Sequence, residues 1–139
     1  MEISLRQMIV SALASCALVA CATTDPAAVA VAPASTQSSV PGQLTTQADL
    51  SPIIGKSLVF GPGQAIAISD DGTIRGSWDG KPVAGSYIMR DGFFCRTLTA
   101  GPRGPSAEDC QLWIRDGSKI SVSRNRGTAN EIIYTVAGL

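Results

Sequence analysis

The chain has 139 residues, 45% of them hydrophobic, and its 11 basic and 11 acidic residues leave no net charge. That length holds one domain, and the even balance excludes a broad electrostatic attraction to nucleic acid. With no histidine, the most frequent general base, metal ligand and neutral-pH switch is missing, which argues against an enzyme or a metal protein.

The first predicted element is a leader. Met1–Gln7 sets Arg6 and the amino terminus against Glu2, and Met8–Val19 is an almost continuous apolar run. Its length fits a signal h-region of about 7–15 residues. A spanning helix needs about 20 apolar residues, and Thr23, Thr24, Asp25 and Pro26 arrive too early for one. The run ends in Leu18-Val19-Ala20-Cys21, which resembles the lipobox of bacterial lipoproteins. That resemblance implies a signal peptide over residues 1–20 and a diacylglyceryl thioether on Cys21 as the first mature residue. Leu13-Ala14-Ser15-Cys16 has the same form, but cleavage there would leave about half of a usual h-region; Cys16 is therefore the alternative. An ordinary secretory cut that releases a soluble protein is a further alternative. At about 0.8 kcal/mol per buried methylene, two or more acyl chains anchor durably. Ala22, where aspartate would favour retention at the inner membrane, implies the outer membrane. The membrane is thus the partner expected through the lipid, and the envelope is the expected location, on its periplasmic or surface face.

Residues 21–50 are rich in Ala, Val, Pro, Ser, Thr and Gln, with almost no charge and no aromatic residue. No apolar period persists, so the segment is expected to be a disordered linker with an r.m.s. span of roughly 30 Å.

Residues 51–139 change texture. Short β-prone runs are separated by Asp71-Gly72, Asp79-Gly80, Asp91-Gly92 and Asp116-Gly117, and Asp-Gly between such runs is a strong hairpin signal. Strands are predicted near Ile54–Phe60, Gln64–Ser69, Thr73–Trp78, Val83–Arg90, Phe93–Leu98, Cys110–Arg115, Lys119–Ser123 and Glu131–Val136, with no helix required. Alternation puts Ile66 with Ile68, Ile74 with Trp78, Tyr87 with Met89, Leu112 with Ile114, and Ile120 with Val122 on one dry face; Gln111, Arg115, Ser121 and Ser123 fall on the other. The expected fold is all-β: a small antiparallel up-and-down barrel of about eight strands, which removes exposed edges, with a two-sheet β-sandwich as the alternative. Strands this short leave an interior that side chains fill, so no large cavity is expected.

Cys95 and Cys110 lie in neighbouring predicted strands around the loop Thr99–Asp109. In an oxidising envelope they read as a disulfide. A zinc site would need two more soft ligands that the body lacks, so no metal is expected, and nothing points to a cofactor.

Chemistry is sparse. Asp70-Asp71-Gly72 lacks the alternating ligands of a calcium loop, Gly61-Pro62-Gly63 opens no helix and cradles no phosphate, and the serines have no histidine to activate them. No catalytic residue is assigned. Three features suit binding instead. Arg103 sits in the longest irregular loop, Ala100–Pro105; Arg124 and Arg126 flank Asn125 beside a strand end; and Trp113, alternating against Leu112 and Ile114, is expected to face outward, while Trp78 is expected in the core.

The segments Asp71-Gly72-Thr73, Gly76-Ser77-Trp78, Phe94-Cys95-Arg96 and Asp109-Cys110-Gln111 resemble a group of small secreted bacterial β domains, a likeness that implies no particular activity. Asp116-Gly117-Ser118 followed by Ser123-Arg124-Asn125-Arg126 is similar to a segment of the small eight-stranded barrels that inhibit secreted bacterial metalloproteases. Members of that family carry one disulfide, placed earlier in the barrel, and block the protease with their N-terminal segment. The expectation is a non-enzymatic, lipid-anchored envelope protein with a binding or structural barrel, partnered by another envelope protein, with no nucleic acid and no small-molecule substrate. A protease inhibitor is the alternative, and an enzyme the weaker one.

Overall fold

The computed structural model describes residues 40–139. The leader, Cys16, Cys21 and the linker as far as residue 39 lie outside the described residues. Eight strands follow in chain order: β1 (Leu58–Gly61), β2 (Gln64–Ile68), β3 (Thr73–Trp78), β4 (Lys81–Arg90), β5 (Phe93–Ala100), β6 (Ser106–Asp116), β7 (Lys119–Ser123) and β8 (Glu131–Val136). Each pairs antiparallel with the next, and β8 returns to β1 through Leu58↔Val136 and Val59↔Thr135, closing the sheet into a barrel. The up-and-down barrel is the fold, and the sandwich is excluded. Asp79-Gly80 and Asp91-Gly92 place both of their residues at positive φ, as type I′ hairpin turns require.

Two strand starts differ from expectation by a full four residues. β1 starts at Leu58 because Ile53 and Ile54 belong to a turn, in which the Ile53 and Ile54 amides both donate to the Leu50 carbonyl. β6 starts at Ser106, four residues before Cys110, because Leu98↔Ser106 extends its pairing with β5.

One end of the barrel is sealed by a segment that the sequence assigned to the linker. Gly42–Leu44 lies along β6 beyond the start of β5: the Leu44 amide donates to the Trp113 carbonyl at 2.9 Å, and the Arg115 amide to the Gly42 carbonyl at 2.8 Å. The Asp49 carboxylate then accepts from the Thr45 and Thr46 amides, each at 2.9 Å. A 3-10 turn, Ala48–Leu50, drops Leu50 into the barrel end, followed by Ile53, both with 0% exposure. Leu44, Leu50 and Ile53 have no period of 2 or 3.6, so periodicity could not reveal them as core.

Inside this half, Tyr87, Phe94 and Trp113 stack in a column from β4 to β6, with centroids 4.5 and 4.0 Å apart. Trp113 is thus 1% exposed, and the expectation that it faces outward is corrected. The whole alternation of β6 is inverted: Gln111 and Trp113 point inward, Leu112 and Ile114 outward. Leu112 is covered by the Gly127 backbone and Ile114 by the Gly42 backbone, so both remain half-buried on the outer wall. Cys95 and Cys110 are register partners and form the expected disulfide.

Two glycines allow the barrel to coil tightly. A Cβ on Gly85 would lie 2.2 Å from the Thr97 carbonyl oxygen, and one on Gly76 would lie 2.3 Å from that of Ala65. Only glycine permits these neighbouring backbones to approach so closely.

Candidate functional site: the open mouth of the barrel

Among the described residues, nothing plugs the other end. Asp79 of the β3–β4 turn, Pro102–Gly104 of the β5–β6 loop, Arg124 and Asn130 surround it, leaving a cleft of about 620 Å³. Ile66, Val83, Leu98 and Tyr134 form its floor and are themselves only 2–7% exposed, so side chains fill the barrel beneath it and the cleft is a concavity at its end. A volume of this size lies in the range typical of small-molecule sites.

The cleft has an aromatic and aliphatic wall. Trp78 at the end of β3 stacks on Phe60 with centroids 5.2 Å apart, and both meet the ring edge of Tyr134, at 6.5 and 6.3 Å. Ile66, Val83, Leu98 and Ile132 complete the apolar lining. These residues come from six different strands, and each is placed by strand alternation, so the barrel itself holds the wall rigid.

A chain of polar groups runs from the core toward this wall. The Trp113 indole N–H donates to Gln111 Oε1 at 3.1 Å, and Gln111 Nε2 donates to Asp109 Oδ2 at 2.8 Å. Arg124 Nε donates to the same oxygen at 2.7 Å, and the Asn125 amide to Asp109 Oδ1 at 3.0 Å. Burial opposes ionisation of Asp109, but the hydrogen bonds from Arg124, Gln111 and Asn125 outweigh it and hold the carboxyl below its ordinary value. The backbone around Arg124 is bent to make these bonds. Asn125 and Arg126 both adopt left-handed conformations, with φ of 50° and 55°, a conformation costing roughly 1–2 kcal/mol per non-glycine residue. Backbone held this way by its surroundings is frequent beside functional sites.

Arg96 completes the cleft and was not singled out by the sequence. It lies on β5 between the inward Phe94 and Leu98, opposite Asp109 in the register. Its Nε is buried without a hydrogen-bond partner, and among the described residues no carboxylate lies within ion-pair distance of it. Burial lowers its pKa, with nearby Arg124 adding to the effect while Tyr134 and Asp109 oppose it. Tyr134 is raised by its own burial, an effect that Arg96 partly offsets.

The binding candidates read from the sequence separate accordingly. Arg103 and Arg124 line the cleft. Arg126 turns to the outer wall, its guanidinium carbon 4.9 Å from the centroid of the Phe93 ring and its Nη2 3.8 Å from Asp91. Trp113 is core. Lys81 and Asp79 join the mouth from the β3–β4 turn. Among the described residues the one cluster with metal-ligand spacing is Cys95, Glu108 and Cys110, whose two sulfurs are spent on each other. No described helix is long and apolar enough to cross a membrane. Comparison with protein-family models, with curated proteins and with solved structures gives no significant match.

Proposed function

We infer that this chain is a non-enzymatic binding protein of the bacterial envelope, held to the outer membrane by lipid on Cys21, and that its ligand enters the open mouth of the barrel. The observation that carries this reading is the asymmetry of the two ends. Leu44, Leu50 and Ile53 fill one completely, while the other keeps a cleft lined by Trp78, Tyr134 and cationic side chains. A purely structural barrel has no need to gather Lys81, Arg96, Arg103 and Arg124 around an apolar cleft at one end. The polar groups of the cleft favour holding a ligand over transforming one: Asp109 has both oxygens engaged, and the chain has no histidine.

Two measurements test this. Palmitate fed to a bacterial host should label the protein, with the label lost in Cys21→Ser; label lost only in Cys16→Ser would move the site, and no label at all would remove the anchor. Amide NMR of the Cys21→Ser chain, titrated with a panel of small amphiphiles, should show shifts concentrated at Trp78, Lys81, Leu98 and Tyr134. Shifts confined to the sealed end, or none, would overturn the binding site.

The closed barrel, with one disulfide among the described residues, supports a second reading, an envelope protease inhibitor. If an excess of the protein leaves a panel of secreted metalloproteases fully active, that reading falls.

A further inference from the structure

We propose that the mouth of the barrel binds an organic carboxylate with an aromatic or alkyl body, the carboxylate seated against the guanidinium of Arg96. The proposal rests on the mouth being the binding site and adds the chemistry of the ligand.

Arg96 faces Asp109 in the register, and in an ordinary barrel the two would pair. Here both oxygens of Asp109 are committed to Arg124, Gln111 and the Asn125 amide. Arg96 is left as a guanidinium largely withdrawn from water, with a buried Nε–H that lacks an acceptor. A buried donor without a partner is expensive to keep, and Arg124 beside it adds like-charge repulsion. A bound anion removes both penalties together.

The remaining groups restrict which anion. Lys81 Nζ donates to the Pro102 carbonyl at 3.1 Å, Arg124 is held by Asp109, and Arg103 stands at the exposed rim. Arg96 is the guanidinium whose Nε–H lies buried without an acceptor, and such an edge suits a planar monoanion that takes two parallel N–H bonds. The body of the ligand follows from the wall: Ile66, Val83, Leu98, Ile132 and the Trp78 face offer dispersion contacts and no further hydrogen bonds, so a bare small anion such as acetate would leave the apolar surface wet. On binding, the side chain of Arg96 turns its Nε edge to the carboxylate, while the aromatic or alkyl body lies against Trp78.

The test compares acids with their neutral amides. Indole-3-propionate and decanoate, each against the corresponding primary amide and against inorganic phosphate, are titrated into the Cys21→Ser chain with the Arg96 Nε–H followed by NMR. The expected result is that the acids bind at least tenfold more tightly than the amides, move the Arg96 Nε–H signal downfield and outcompete phosphate. In Arg96→Gln that preference should vanish while amide binding is retained, and Arg96→Lys should recover only part of it. A far-ultraviolet CD spectrum and melting curve establish that each variant folds. Equal binding of acid and amide, with shifts at Trp78 and Tyr134, would overturn the carboxylate assignment and leave the mouth as a binding site. Tighter binding of phosphate would overturn it likewise. If no probe shifts any residue of the mouth, both readings fail together.

Discussion

Asp109 shows how one carboxylate decides the character of the barrel interior. Its side chain is 12% exposed where Arg124 is 49% exposed, so the pair is anchored from the inside, and its loss is felt in the barrel rather than at the surface. Asp109→Asn should destabilise the protein by about 2 kcal/mol, measured by urea denaturation, because Arg124 and the Asn125 amide lose a charged acceptor and Arg96 loses its nearest favourable field. The pH dependence has a definite sign. The folded-state pKa of Asp109 lies below the ordinary value, so its contribution is complete above about pH 5 and is lost as pH falls through the lowered value. Asp49, lowered chiefly by the backbone hydrogen bonds from Thr45 and Thr46, adds a contribution of the same sign, which discounting for its exposure leaves small. Acid titration of Asp109→Asn should accordingly give a flatter stability profile than the native chain. Arg96 should behave in the opposite way: without ligand, Arg96→Leu should raise the melting temperature, by an amount equivalent to about 1 kcal/mol, because it replaces a poorly satisfied buried cation by apolar volume. A drop in melting temperature would mean that Arg96 holds the fold rather than a ligand.

At the scale of the strand, Gly85 and the disulfide carry the clearest consequences. Gly85→Ala places a methyl group 2.2 Å from the Thr97 oxygen, backbone that cannot step aside, and should cost about 3 kcal/mol in equilibrium unfolding. Reduction of Cys95–Cys110, which spans 15 residues of sequence, should remove about 3 kcal/mol, read as a fall in melting temperature on adding a phosphine reductant. The eight strands were legible because four of their seven turns carry Asp-Gly and their runs alternate, two local signals that agree. β6 misled because its alternation is real but reversed. Leu112 and Ile114 are apolar on the outer wall, where Gly127 and Gly42 cover them, and Gln111 is polar on the inner side, where Trp113 and Asp109 satisfy it. Which face a strand turns inward depends on segments far away in the chain, and no window of sequence contains them. Arg96 carried a readable signal, since it shares the parity of Phe94 and Leu98 on β5, but an arginine between two apolar residues also suits an exposed strand. Arg103 and Arg124 were found from loop position alone, and the left-handed turn that separates Arg124 from Arg126 has no pattern that sequence could show.

For the whole molecule, the asymmetry of the barrel matters more than its closure. Leu44, Leu50 and Ile53 had no periodicity to mark them, so the plug was hidden in a stretch that reads as linker, and with it the distinction between the two ends. The chain enters the barrel through that plug and leaves it at the same end: β8 finishes beside the start of β1, the Ala137 amide donates to the Ser57 carbonyl at 2.9 Å, and Lys56 Nζ reaches the Gly138 carbonyl. The described chain therefore enters and leaves the barrel at the end away from the mouth. A fluorescent reporter fused after Leu139 should leave the affinity for an aromatic carboxylate unchanged within twofold, whereas one inserted at Gly80, on the rim, should abolish it. Within the barrel, the mouth and the two points where the chain enters and leaves thus occupy opposite ends.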